Sequence, residues 1–323
     1  MNMGRMGLTI VGAALVISVT VLFAAVRARS RDAWACEVGL CLAGDDPCVP
    51  GSCTIFAVRR GAKVFFGNNE DWSDPKTIYW VEPPQPGQYG SVYLGFNAYN
   101  PQGGINEKGL AFDYNALPKS SMKSHRELPR RPGPLANLIM QQAATVEEAV
   151  QMFRRYDWGG GLAWQMLLAD ATGDAVVVGA GPDGELAFTR KSPSDGFLVS
   201  TNFNRANPDN RLGSYPCPRY EKATEMLGRL PGESDLTVEA LRSIVDAVHV
   251  QGPGINTLYS NLMDLRRGIV YLYYWHQYGE VVTLDVAKEL AKATKPTLLR
   301  DLFSRAIVEQ AESERRNYTG KSH

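Results

Sequence analysis

The sequence predicts a layered α+β domain. Short β-branched and aromatic runs separated by turn residues fill its first and last parts, and two helical stretches interrupt them midway. With 323 residues, 44% of them hydrophobic and 21% charged, the chain can bury one substantial core. Lysine plus arginine and aspartate plus glutamate both number 34, so the formal net charge is zero and no basic face for nucleic acid is implied.

Three hairpins are legible. Thr54 to Val58 and Lys63 to Phe66 flank Arg60-Gly61-Ala62. Gly104-Ile105 and Leu110 to Tyr114 flank Asn106-Glu107-Lys108-Gly109. Ala163 to Ala169 and Ala175 to Val178 flank Asp170 to Asp174. Phe197 to Ser200, Thr257 to Leu262 and Ile269 to Tyr274 add strands. Leu135 to Ala144 is helical, and Thr145 with Glu148 forms a capping box that opens a second helix running to Tyr156. Val238 to Val248 has helical spacing, and Leu284 to Arg316 reads as a charged, amphipathic helical tail. The aromatic clusters at Tyr79/Trp80 and Tyr271 to Trp275 read first as packing residues.

Residues 1–35 stand outside this pattern. Gly7 to Val26 is uncharged and mostly apolar, preceded by Arg5 and followed by Arg27, Arg29 and Arg31. It is long enough to cross a bilayer core of about 30 Å. A membrane anchor and a signal peptide both fit, and either makes the chain membrane-anchored or exported. Ala33-Trp34-Ala35 resembles a cleavage site but lies far beyond the apolar run.

Cys36, Cys41, Cys48 and Cys53 crowd into a loop-rich stretch, and Cys217 is the fifth cysteine. Beyond an export segment this pattern points to disulfides, with Cys53 as the thiol left over. A structural zinc fits poorly, because no histidine lies nearby. Residues 36–52 thus read as a spacer or propeptide, and 53–323 as the folded domain with a helical tail from about 284. Asn317-Tyr318-Thr319 is a glycosylation sequon that matters only in a eukaryotic secretory host.

The first hairpin decides what faces Cys53. A Gly61-Ala62 loop puts Cys53 opposite Glu70, with Asn68 and Trp72 on the same face. A three-residue loop puts it opposite Asn69, with Asp71 on its face. A thiol is mostly protonated at neutral pH and needs a base. The four histidines, His125, His249, His276 and His323, lie in no recognisable Cys-His context. A freed α-amino group, with a reference pKa of about 7.7–8.0, is the other solution, and it requires Cys53 to begin the mature chain. Gly51-Ser52 before it is a plausible site for that cut.

Cys53-Thr54, the hairpin and Gly67-Asn68-Asn69-Glu70-Asp71-Trp72 resemble the N-terminal-nucleophile cysteine amidases. That family includes choloylglycine hydrolases, penicillin V acylases and penicillin acyltransferase relatives. Asn106-Glu107-Lys108-Gly109-Leu110, Ser200-Thr201-Asn202-Phe203, Pro218-Arg219-Tyr220 and Thr257 to Asn261 with Asp264 continue the likeness in order, over residues 53 to about 275.

The resemblance implies a four-layer αββα sandwich and hydrolysis of a linear amide through a Cys53 thioester, with no metal or organic cofactor. It assigns Asp71 to hold the α-amine, Asn115 to the oxyanion, Asn202 to orientation and Arg219 to electrostatic support. Asn69 and Trp72 are the expected substrate-binding residues. Asn68 stands where bile-salt hydrolases carry arginine, so bile-salt specificity does not follow, and Asp71-Trp72 leans toward the acyltransferase-like and linear-amide branch.

Acyl transfer to an amine uses the same acyl-enzyme. A non-catalytic, membrane-tethered disulfide module and a histidine-dependent hydrolase are the rival readings. The partners expected are a small-molecule amide and, if retained, the membrane through residues 7–26. A second copy of the chain, in a homo-oligomer, is the remaining partner considered.

Overall fold

A computed structural model describes residues 53–97, 100–133, 135–207, 213, 215–292 and 295–319. The apolar segment, the sites suggested before Cys36 and Cys53, and the spacer lie outside the described residues. Among those described, no helix is long and apolar enough to cross a membrane.

Two antiparallel sheets carry the chain. The first has six strands: β1 (Thr54–Arg60), β2 (Lys63–Trp72), β10 (Phe197–Ser200), β11 (Asn256–Asp264), β12 (Ile269–Tyr274) and β13 (Gln277–Asp285). Their spatial order is β10-β1-β2-β11-β12-β13. The second has eight: β3 (Ile78–Glu82), β4 (Ser91–Asn97), β5 (Asn100–Asn106), β6 (Ala111–Met122), β7 (Gly160–Ala169), β8 (Ala175–Ala180), β9 (Leu186–Arg190) and the two-residue β14 (Thr297–Leu298). It is ordered β14-β3-β4-β5-β6-β7-β8-β9.

Period-2 alternation gives each sheet two faces, and both are buried. Ile55, Ala57, Val64, Phe66 and Met263 of the first sheet meet Val92, Leu94, Ile105, Leu167 and Val177 of the second in the central core. On the outer face of the first sheet, Phe56, Val58, Phe65 and Leu262 pack against α3 (Pro218–Gly228) and α4 (Val238–Ala247) through Leu227, Leu241 and Val245. On the outer face of the second, Phe112, Leu168 and Val178 pack against α1 (Leu135–Gln142) and α2 (Val146–Phe153) through Ile139, Val150 and Phe153. The result is the αββα sandwich.

The local devices are those the residues imply. Thr145 and Glu148 close a reciprocal capping box at the start of α2. Asn106 accepts from the Lys108 and Leu110 amides and donates to Met140 and Ala143 carbonyls, tying the β5–β6 turn to the end of α1. Gly109 takes φ +79°, and a Cβ there would lie 2.2 Å from the Leu265 carbonyl oxygen.

The expected helical tail is corrected. Leu284 and Asp285 finish edge strand β13, and Asp285 caps a short helix α5 (Val286–Leu290). Pro296, which cannot continue a helix, is followed by β14 beside β3 and a 3-10 turn at Leu299–Leu302. Only then does α6 (Arg305–Thr319) begin. The disulfide expectation is corrected as well: Cys217 is buried and unbridged at the N-cap of α3, so Cys53 is not the sole unpaired thiol, and no disulfide occurs among the described residues.

Gly67 sits mid-strand, where an added Cβ would come within 2.3 Å of the Phe56 ring. Gly67→Ala is therefore expected to destabilise the fold by about 1–3 kcal/mol through overpacking. Urea unfolding measures this, and an unchanged midpoint would contradict the close approach.

Candidate active site

Gly61-Ala62 is the loop of the first hairpin. Arg60 pairs with Lys63 and Thr54 with Asn69, so the shorter of the two expected registers is the one formed. Gly61 supplies the positive φ of 55°. Beyond Thr54, the Cys53 thiol faces Glu70, and its Sγ lies 3.5 Å from Glu70 Oε1. The Asp71 backbone N–H also donates to the sulfur.

Side chains on the interior face form one cluster. Tyr259 pairs with Glu70 across β2 and β11, and its hydroxyl donates to Glu70 Oε2 at 3.4 Å. Asp113 comes from β6 of the opposite sheet and sits hard against Gly103, where a Cβ would meet its carboxyl oxygen at 2.2 Å. Asn68, buried opposite Asn261, contributes no charge.

The helix-facing side holds Asp71 and Arg219, while Asn115 stands with Asp113 on the interior face of β6. Asp71 accepts from the Thr257 hydroxyl, and its other oxygen lies 3.5 Å from Arg219 Nη1 without a hydrogen bond. Arg219, in the first turn of α3, donates to Thr54 Oγ1 at 2.8 Å and to Asn202 Oδ1 at 3.2 Å. Asn202 in turn donates to the Ala116 carbonyl. Asn115 donates through Nδ2 to the Cys53 carbonyl at 2.9 Å and accepts from Ser200 Oγ.

Five of the expected residues thus meet: Cys53, Asp71, Asn115, Asn202 and Arg219. Asn69 is not brought to the thiol. It points toward the helices, where its amide donates to the Val245 carbonyl and accepts from Ser260 Oγ, so it positions β2 against α4 and is not read as a substrate contact. Trp72 lies on the same strand face as Glu70, half-buried, with its ring 6.1 Å from that of Phe96.

Sequence reasoning missed four members. Asp113 was within reach, being two residues from Asn115 on one strand face, and Tyr259 follows from the β2–β11 pairing. Thr257 was seen as part of a motif but not as the partner of Asp71. Gln165 carried no signal; it sits opposite Asn115 and its amide donates to Ser200 Oγ and the Thr201 and Phe203 carbonyls, fixing the approach to Asn202.

The histidines stand apart from the sulfur. His125 pairs with Glu127 and Glu185 near the surface. His249 and His276 stack with centroids 4.9 Å apart, and burial with the neighbouring ring lowers His276 to about 4. His323 lies outside the described residues.

Burial dominates the electrostatics. It raises the Cys53 thiol well above its usual range, and the charges of Glu70, Asp71 and Asp113 add to this. Glu70 is pushed up to about 8 by burial and then by Asp71, against the opposing bonds from Cys53 and Tyr259. Asp71 rises to about 7 by burial, with Arg219 and Thr257 pulling the other way. Burial and Glu70 raise Asp113 as well. Among the described residues, three buried acidic groups therefore share the site with one guanidinium, that of Arg219.

The two-sheet αββα sandwich is the fold of the N-terminal-nucleophile hydrolases. Among the solved structures that share it are two enzymes. One is a variant of conjugated bile acid hydrolase from Clostridium perfringens, at TM-score 0.62 and 17% identity over 78% of this chain and 98% of that one. The other is penicillin V acylase from Agrobacterium tumefaciens, at TM-score 0.56 and 20% identity over 75% and 89%. Among curated proteins, none matches the chain. The chain belongs to the acyl-coenzyme A:6-aminopenicillanic acid acyl-transferase family, whose pattern matches residues 58–272.

A carboxyl whose pKa is raised on folding favours the native state most below its unfolded pKa, near 4.3 for glutamate, and loses that contribution as pH rises to the folded value. For Glu70 the window runs from about 4 to about 8. Glu70→Gln should match the wild type below about pH 4 and gain on the order of a few kcal/mol by pH 8. Urea unfolding across this range tests it; a gap that stays constant would contradict the buried carboxyl.

Proposed function

We propose that the chain is an amidase that cleaves linear C–N amides through a thioester on Cys53, after self-processing makes Cys53 the first residue. The observation that carries this is the charge balance around the sulfur. A buried Asp71 oxygen without a hydrogen bond stands beside a single guanidinium, with two further carboxyl groups nearby. An α-ammonium group at Cys53 would add the missing cation and offset the effects that hold the thiol proton.

On this reading the α-amine accepts the thiol proton as Sγ attacks the substrate carbonyl, and then delivers it to the leaving nitrogen. Asp71 holds the amine. Asn115 gives one N–H to the Cys53 carbonyl, and its second is the donor for the oxyanion. Arg219 links Thr54, Asp71 and Asn202, so one cation sets the orientation of three polar groups. The rings of Trp72 and Phe96 offer apolar surface for an acyl group.

Hydrolysis and acyl transfer share every step up to the thioester, and the family to which the chain belongs takes its description from an acyl-transferase. Transfer is therefore the second reading. The apolar run at residues 7–26 supports placing the enzyme outside the cytoplasm.

N-terminal sequencing of active protein should begin at Cys53, with Cys53→Ser inactive toward a panel of N-acyl p-nitroanilides. Active protein still carrying Ser52 would refute the reading. Asn115→Ala should lower kcat by about 10²–10³ for loss of an oxyanion donor. Hydroxamate formed on adding hydroxylamine would favour transfer, and free acid alone would favour hydrolysis.

A further inference from the structure

We propose that Glu70 is the base that takes the thiol proton of Cys53 in the uncut chain, and so starts the self-cleavage that frees the α-amine. This rests on the reading of Cys53 as a processed nucleophile and adds what that reading lacks. Before the cut, the α-nitrogen is an amide and cannot accept a proton, so the amine that serves the mature enzyme cannot serve its own maturation.

Geometry selects Glu70. It is the side chain to which the thiol donates, at 3.5 Å, and it shares the interior face with Cys53 because β1 and β2 pair across a two-residue loop. Asp71 is turned to the other face, beside Arg219 and under the Thr257 hydroxyl. No histidine hydrogen-bonds the thiol among the described residues.

Every charged or titratable neighbour bears on Glu70 in a definite way. Tyr259 on β11 donates to it and favours its charged form. Asp71 on its own strand opposes ionisation, Cys53 supplies the proton, and the charge of Glu70 in turn raises Asp113 on the facing sheet. Arg219 reaches it only through Asp71. Burial first, and these neighbours after it, hold Glu70 at about 8, close enough to neutrality for it to accept a proton and return it.

The step balances. The S–H proton passes to the Glu70 carboxylate while Sγ attacks the carbonyl carbon of the Ser52–Cys53 peptide bond. The C–S bond forms, the C–N bond breaks, and its electron pair stays on nitrogen, which takes the proton back from Glu70. Water then opens the Ser52 thioester, giving a carboxylate on Ser52 and restoring the thiol beside a free α-amine.

The full chain, made in a cell-free pulse, is followed by mass spectrometry for the fragment beginning at Cys53, between pH 6 and 9. Wild-type cutting should accelerate as pH rises through about 8 and then level. Glu70→Gln should cut about 100-fold more slowly and lose that rise. Tyr259→Phe, which no longer favours the Glu70 carboxylate, should shift the rise to higher pH. Glu70→Gln cutting at the wild-type rate with an unchanged profile overturns the assignment. If that variant does not fold, an unshifted profile in Tyr259→Phe does the same. Wild-type protein that turns over amides uncut would instead overturn the parent reading of processing.

Discussion

The pairing of β1 with β2 is the constraint on which the site depends. Because Arg60 lies opposite Lys63, the alternation of faces is fixed for every residue from Cys53 to Trp72. Cys53, Asn68 and Glu70 look into the sandwich, while Thr54, Asn69 and Asp71 look toward α3 and α4. One residue more in the turn would exchange the two sets. Glu70 would then face the helices, and Asp71 would enter the interior without Arg219. The positive φ of Gly61 thus controls which carboxyl meets the sulfur and which meets the cation.

This division gives each side of the strand its own electrostatics. Toward the helices, Asp71 has a guanidinium and the hydroxyl of Thr257, and Arg219 extends the link to Thr54 and Asn202. Toward the interior, Glu70 and Asp113 have a phenol and a thiol but no cation among the described residues. Charge is costly to hold in such a place unless it is paired. The interior carboxyl groups accordingly favour their protonated forms over the range in which Asp71 is better able to ionise. A two-sided strand therefore places groups of different acidity about a single sulfur atom.

Much of this was legible because it is local or periodic. The three hairpins, the capping box at Thr145 and the ordered motifs gave the layers and brought Cys53, Asp71, Asn115, Asn202 and Arg219 together as a set. The register itself stayed open, since Arg60-Gly61-Ala62 accommodates either loop and only the packed sheet discriminates between them. Asn69 was misread for a similar reason: its position in the motif is adjacent to the site, but its face belongs to the helices, and Val245 and Ser260 take up its amide. Gln165 was invisible because its role depends on a long-range pairing of β7 with β6 and on the loop after β10. The tail was misread because helical composition outweighed Pro296 and the edge-strand alternation of β13.

The histidines sharpen what kind of chemistry such a site can hold. A Cys-His hydrolase places an imidazole against the sulfur, where it both accepts the proton and leaves behind a cation that stabilises the thiolate. Here the imidazoles of the described residues lie elsewhere, and the groups about the sulfur are acids that raise its pKa. A carboxylate can take a proton from the thiol but becomes neutral in doing so, and gives the thiolate no opposite charge. An α-ammonium does the reverse, since it is itself a cation and is held by the carboxylate of Asp71. On the reading advanced here, the two bases suit different stages of one chain. The carboxylate is present before the cut, when only a transient thiolate is needed for a single event. The amine appears afterwards, when the same sulfur must be activated at every turnover.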